Sequence, residues 1–118
     1  MIDRDGVATW LAQYQQAWTS NNSADIAALF TEDAEYYEVG YDTEWIGRDE
    51  IVEGWQSRFE WQAGGWTFGW TLAGIVGDTA AVTGTGHYTE LGDFDNIWTI
   101  TFDGDRCSVF RMWNGKAA

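Results

Sequence analysis

The sequence predicts an α+β fold, a cone-shaped domain of three N-terminal helices packed on a curved, mainly antiparallel mixed sheet. Three observations carry that expectation. Apolar residues recur at helical spacing up to about residue 60 and alternate at strand spacing after residue 65. Turn signals then punctuate the second half at Gly77-Asp78, Gly92-Asp93 and Asp103-Gly104. The 118 residues have the length of a single domain, 1–118, and 45% of them are hydrophobic and 17% aromatic, enough apolar surface for one core.

Val7, Trp10, Leu11, Tyr14, Ala17 and Trp18 mark one face of a first helix reaching about Ser20, with Asp3 and Asp5 at its positive end. Asn21-Asn22-Ser23 supplies turn and N-cap chemistry. Ile26, Leu29 and Phe30 then predict a short second helix, closed by Thr31-Glu32-Asp33. Residues 34–39, Ala-Glu-Tyr-Tyr-Glu-Val, predict a strand, and Gly40 to Gly47 a loop or short hairpin arm. From Arg48 the period changes again, so that Ile51, Val52, Trp55 and Phe59 form a third helix stopped by Gly64-Gly65.

Four strands of an antiparallel meander follow. Trp66, Phe68, Trp70 and Leu72 alternate with Thr67, Gly69, Thr71 and Ala73, and Trp98, Ile100 and Phe102 with Ile97, Thr99 and Thr101. The apolar set should face the helices. Between them, Gly84 and Gly86 share a strand face with Val82 and Tyr88; turned inward, they leave space for large side chains or a ligand. Thr83, Thr85, His87 and Thr89 then meet solvent or a partner subunit. A bulge at Gly84 or Gly86 would instead bring His87, the only histidine, inward.

Charge excludes some partners. Nineteen acidic against six basic residues give a formal net charge of −13, which repels nucleic acid and anionic membrane at long range. No apolar run approaches the ~20 residues of a membrane span, and Met-Ile-Asp-Arg-Asp lacks the character of a signal peptide. The lone Cys107 excludes an internal disulfide and reads as a small core residue. A soluble, cytoplasmic protein is expected. One histidine and one cysteine cannot build the usual zinc sites, and Asp93-x-Asp95 lacks calcium-loop spacing, so neither metal nor cofactor is expected.

The element order, with the run Tyr14-x3-Trp18-x11-Phe30-x2-Asp33-Ala34, resembles the nuclear transport factor 2-like superfamily, most closely its SnoaL-like and ketosteroid isomerase-like members. The resemblance implies a cystatin-like roll, a fold that hosts isomerases, cyclases, hydrolases, dehydratases and plain binding modules. It also places Tyr14 where ketosteroid isomerases have an oxyanion-donating tyrosine and Glu38 where they have a carboxylate base. Their protonated aspartate has no counterpart, since Trp98 stands at the matching strand position. Epoxide hydrolases of the superfamily need an Asp-Arg-Asp arrangement, and no arginine falls on a predicted inward strand face.

The chemistry follows from those residue types. A carboxylate inside an aromatic cone loses hydration, so its pKa should rise and let it act as a base near neutrality. A nearby phenol stabilises an enolate oxygen as it forms. Glu38 and Tyr14 are thus the candidate catalytic pair, for cofactor-free proton transfer of isomerase or polyketide cyclase type on a small apolar carbonyl compound. The plain alternative is a solvated Glu38 at the rim and a core Tyr14. Trp18, Phe30, Trp55, Phe59 and Trp66 are the expected ligand-lining residues of the N-terminal half and of the first meander strand. Gly84, Gly86, Trp98, Phe110 and Met112 complete that lining from the rest of the sheet. Two rivals remain: a binding module that holds an apolar or aromatic ligand, and a cone filled by its own tryptophans. Association as a homodimer through the outer sheet face is expected.

Overall fold

A computed structural model describes residues 2–39, 43–58, 66–89 and 92–116. Helix α1 spans Arg4–Ser20, where Asp3 caps the start by accepting from the Gly6 N–H at 2.8 Å. Its apolar face is buried, and it ends at Asn21, whose φ of 53° is the left-handed conformation that asparagine tolerates. Asn22 then caps α2, Ser23–Ala27, through its Oδ1, which accepts from Ala24 N at 2.8 Å and Asp25 N at 3.3 Å. Among the described residues no helix is long and apolar enough to cross a membrane.

Here the structure corrects the sequence reading. Leu29 and Phe30 do not continue α2: strand β1 already begins at Phe30 and runs to Val39. The cause is tertiary. The Leu29 carbonyl accepts from the Cys107 N–H at 2.8 Å and from Trp10 Nε1 at 3.0 Å, so neighbouring elements draw the segment into the sheet. A short arm, β2 (Thr43–Ile46), returns beside β1, and α3 covers Arg48–Gln56. Phe59 and the Gly64-Gly65 stop lie outside the described residues.

The meander comprises β3 (Trp66–Val76), β4 (Thr79–Tyr88), β5 (Gly92–Asp103) and β6 (Arg106–Lys116). All six strands form one mixed sheet in the order β2-β1-β6-β5-β4-β3. Only the β1–β6 pairing is parallel, with Glu38 beside Met112. β4 runs in unbroken register against β5, so no bulge disturbs Gly84 or Gly86, and His87 stays on the outer face, 61% exposed and paired with Asp93. Trp98, Ile100 and Phe102 are buried against the helices, whereas Trp70, on edge strand β3, remains 36% exposed. The fold is α+β, as the alternation and helical periods predict.

Candidate functional site

Period-2 alternation along β1 sends Ala34, Tyr36 and Glu38 to the same buried face. Glu38 is 4% exposed and opens onto a cavity of about 250 Å3 between α1 and the concave face of the sheet. Tyr14 and Trp18 of α1 reach this cavity from one side; Trp66 and Phe68 of β3 close another. Gly86, Asn96, Trp98 and Met112 supply the sheet floor. Most of the wall is aromatic, so a ligand there is surrounded by π-faces and few polar atoms.

Burial of Glu38 requires a counter-charge, and Arg58, just beyond the last turn of α3, provides it: Nη1 bonds to Glu38 Oε1. The guanidinium is held in turn by Nη2 donating to Thr43 Oγ1 at 2.9 Å and by stacking 4.8 Å from the Trp45 ring centroid. Among the described residues no donor reaches the second Glu38 oxygen, Oε2.

Three phenols line the same space, those of Tyr14, Tyr36 and Tyr88, and the first two are buried. Tyr14 is wedged edge-on against Trp55 at 5.0 Å and tilted against Trp98 at 5.3 Å between ring centroids. Burial pushes its hydroxyl well above the ordinary value near 10.0; the Tyr88 phenol and the Glu38 carboxylate push further, and Arg58 pulls back. Tyr36 shifts in the same direction, through burial first and then through Glu38 and Tyr14. Both hydroxyls therefore remain donors at any physiological pH, and neither has a hydrogen-bond partner among the described residues. Asn96 Oδ1 and Trp98 Nε1 are likewise buried and unpartnered among the described residues.

The structure thus brings together Glu38, Tyr14, Trp18, Trp66, Gly86, Trp98 and Met112 around one cavity. Phe30, Trp55 and Phe110 lie behind it, fully buried in the core. Gly84 does not line it either: a Cβ there would sit 3.3 Å from the Trp98 ring, so Trp98 already fills the space the glycine leaves. Sequence reasoning missed Arg58, because it sought arginine on strand faces alone. The signal existed, since Ile51, Trp55 and Arg58 stand at i, i+4 and i+7 and share a helical stripe. Tyr36 was equally legible, two residues before Glu38 on one strand face.

Residues 11–118 match the family described as a SnoaL-like domain. No curated protein matches the sequence. Among solved structures, a cystatin-like protein of unknown function from Methylobium petroleophilum PM1 superposes with a TM-score of 0.77 at 18% identity, covering 99% of this chain and 80% of that one. A protein with a ketosteroid isomerase-like fold from Catenulispora acidiphila DSM 44928, in complex with trimethylamine, gives 0.68 at 22% identity over 94% and 85%. An LEH-like epoxide hydrolase of M. tuberculosis gives 0.66 at 15% identity over 94% and 84%. These likenesses establish the fold, and the family match establishes more: the chain belongs to the SnoaL-like domain family, within the nuclear transport factor 2-like superfamily.

Proposed function

We propose that the cavity binds a small, largely apolar carbonyl compound and that Glu38 moves a proton on it without a cofactor, while Tyr14 donates to the carbonyl oxygen. The observation that carries this reading is a carboxylate 4% exposed on an aromatic cavity that also receives an unpartnered phenol. With Oε1 engaged by Arg58, Oε2 is the oxygen that takes the proton from carbon. As the proton leaves, negative charge moves to the substrate oxygen, where the Tyr14 O–H meets it. The second half-reaction returns the proton from Glu38 to another carbon for isomerisation, or follows carbon–carbon bond formation for cyclisation.

Size narrows the ligand. A cavity of about 250 Å3 lies just under the ~300–1,000 Å3 of drug-sized sites and holds roughly eight waters' volume, which suits one or two rings. Exchange of α-protons for deuterium in cyclohexenone or 1-indanone, followed by NMR in D2O, tests the reaction without knowledge of the natural substrate. Glu38→Gln should slow that exchange by about 10²–10⁴-fold. Full exchange by this variant would sink the assignment.

A second reading is favoured by one observation, the ion pair itself: Arg58 bound to Glu38 gives the carboxylate a structural role in a binding module. That protein would retain 1-indanone and catalyse no exchange. A hydrolytic branch receives weaker support, because Glu38 is the only carboxylate among the described residues lining the cavity, whereas the Asp-Arg-Asp arrangement uses two.

We also infer a homodimer in the cytoplasm. Ile97 and Trp113 are register neighbours on the outer sheet face, 53% and 41% exposed, an apolar pair suited to a self-complementary contact. Sedimentation should find a dimer that Ile97→Glu converts to monomer; a monomeric wild type would remove this part of the reading.

A further inference from the structure

Oxyanion chemistry is better served by two donors than by one, and two phenols besides Tyr14 line the cavity, the buried Tyr36 and the partly exposed Tyr88. Tyr36 shares its strand face with Glu38 and lies, like Tyr14, on the cavity wall. Its ring is clamped between two others, stacked on Phe110 at 4.8 Å and on Trp45 at 4.9 Å, with interplanar angles of 12° and 21°. Phe110 is also stacked on Tyr14, at 6.0 Å and 18°, so Trp45, Tyr36, Phe110 and Tyr14 form one run of near-parallel rings that fixes the planes of both phenols. Neither hydroxyl is engaged by another described residue. Rings so clamped cannot swing to find a partner, and a donor held in place before the ligand arrives needs no reorganisation when charge develops.

We propose that Tyr36 is a second hydrogen-bond donor to the ligand oxygen, acting beside Tyr14, and hence a further catalytic residue of the proton-transfer reaction. This inference rests on the proton-transfer reading above. It also supplies what the sequence comparison left missing: where ketosteroid isomerases place a protonated aspartate this chain has Trp98, and the second donor enters from β1 instead. Burial keeps the Tyr36 phenol protonated, as a donor must be. The substrates best served are those whose negative charge concentrates on one oxygen, such as enolates of cyclic ketones and phenolates.

The probe is 4-nitrophenol, whose colour reports its ionisation, compared with 4-nitrotoluene, which has the same ring and lacks the oxygen. The wild type should bind 4-nitrophenolate, and Tyr36→Phe, which keeps the clamped ring, should weaken it roughly 10- to 100-fold. Tyr14→Phe should do the same, and all three proteins should retain 4-nitrotoluene. Replacing Tyr36 by 3-fluorotyrosine, a stronger donor, should tighten the phenolate; this substitution decides the matter if Tyr36→Phe fails to hold even 4-nitrotoluene. A loss in Tyr14→Phe with none in Tyr36→Phe, or no response to 3-fluorotyrosine, overturns the role of Tyr36 and leaves the proton-transfer reading standing. A wild type that binds 4-nitrotoluene but not 4-nitrophenolate overturns both.

Discussion

Glu38 is a charge withdrawn from water, and Arg58 is what makes the withdrawal tolerable. Removing the partner should therefore hurt more than removing the pair. Arg58→Met should lower stability by about 3 kcal/mol, the low end for an orphaned buried charge because Arg58 is itself 13% exposed. The double substitution Glu38→Gln with Arg58→Met should recover most of that loss in urea unfolding. A second expectation concerns pH. Burial holds the Tyr14 hydroxyl protonated beyond its ordinary value of 10.0, so affinity for 4-nitrotoluene or 1-indanone should show no alkaline loss up to about pH 10 from this group. Much of this site was legible at the residue level, because alternation alone aligns Ala34, Tyr36 and Glu38. Their meeting with Arg58 was not, since periodicity says which face a residue shares and is silent about which distant segment arrives there.

Among the elements, α3 is seated by an absence of side chain. A Cβ on Gly54 would lie 2.3 Å from the Trp45 ring, inside the contact that lets β2 lie against the helix. Gly-to-Ala exchange in a helix ordinarily stabilises by about 1 kcal/mol. Here overpacking, at about 1–3 kcal/mol, should outweigh that gain. Gly54→Ala should lower the thermal midpoint and, by shifting Trp45, loosen both the Arg58 stack and the Tyr36 clamp, an effect visible as weaker 4-nitrophenolate binding. The sequence reading located α1, the start of α3 and the four-stranded meander, where the period is clear; it carried α3 past Phe59 toward Gly64, whereas the helix ends at Gln56 and turns at Ser57 and Arg58. It misjudged the α2–β1 boundary because Ile26, Leu29 and Phe30 satisfy helical spacing over too few residues to resist the pull of the Leu29 carbonyl's partners.

At the scale of the whole molecule, the buried acids set an alkaline limit. Burial raises the Cys107 thiol above its ordinary 9.0, and Tyr14 and Tyr36 above 10.0. Each folded group keeps its proton where the unfolded chain has released it, so the stabilisation is complete below the unfolded pKa and declines as pH rises toward the folded one. The loss should amount to about 1.4 kcal/mol per pH unit for each group. Urea midpoints should accordingly begin to fall near pH 9 and fall more steeply above pH 10, and Cys107→Ala should remove the first of these two slopes. The parallel pairing of β1 with β6 carries a different consequence, one of timing. The strand that bears Glu38 pairs early with β2, but its second hydrogen-bond partner is found only in residues 107–113. A chain emerging from the ribosome must therefore hold one edge of β1 unpaired, and the apolar face of α1 largely uncovered, until nearly all of it has been made. Loop closure over such a span is slow, so slow refolding is the expected cost of the same pairing that puts Glu38 in place.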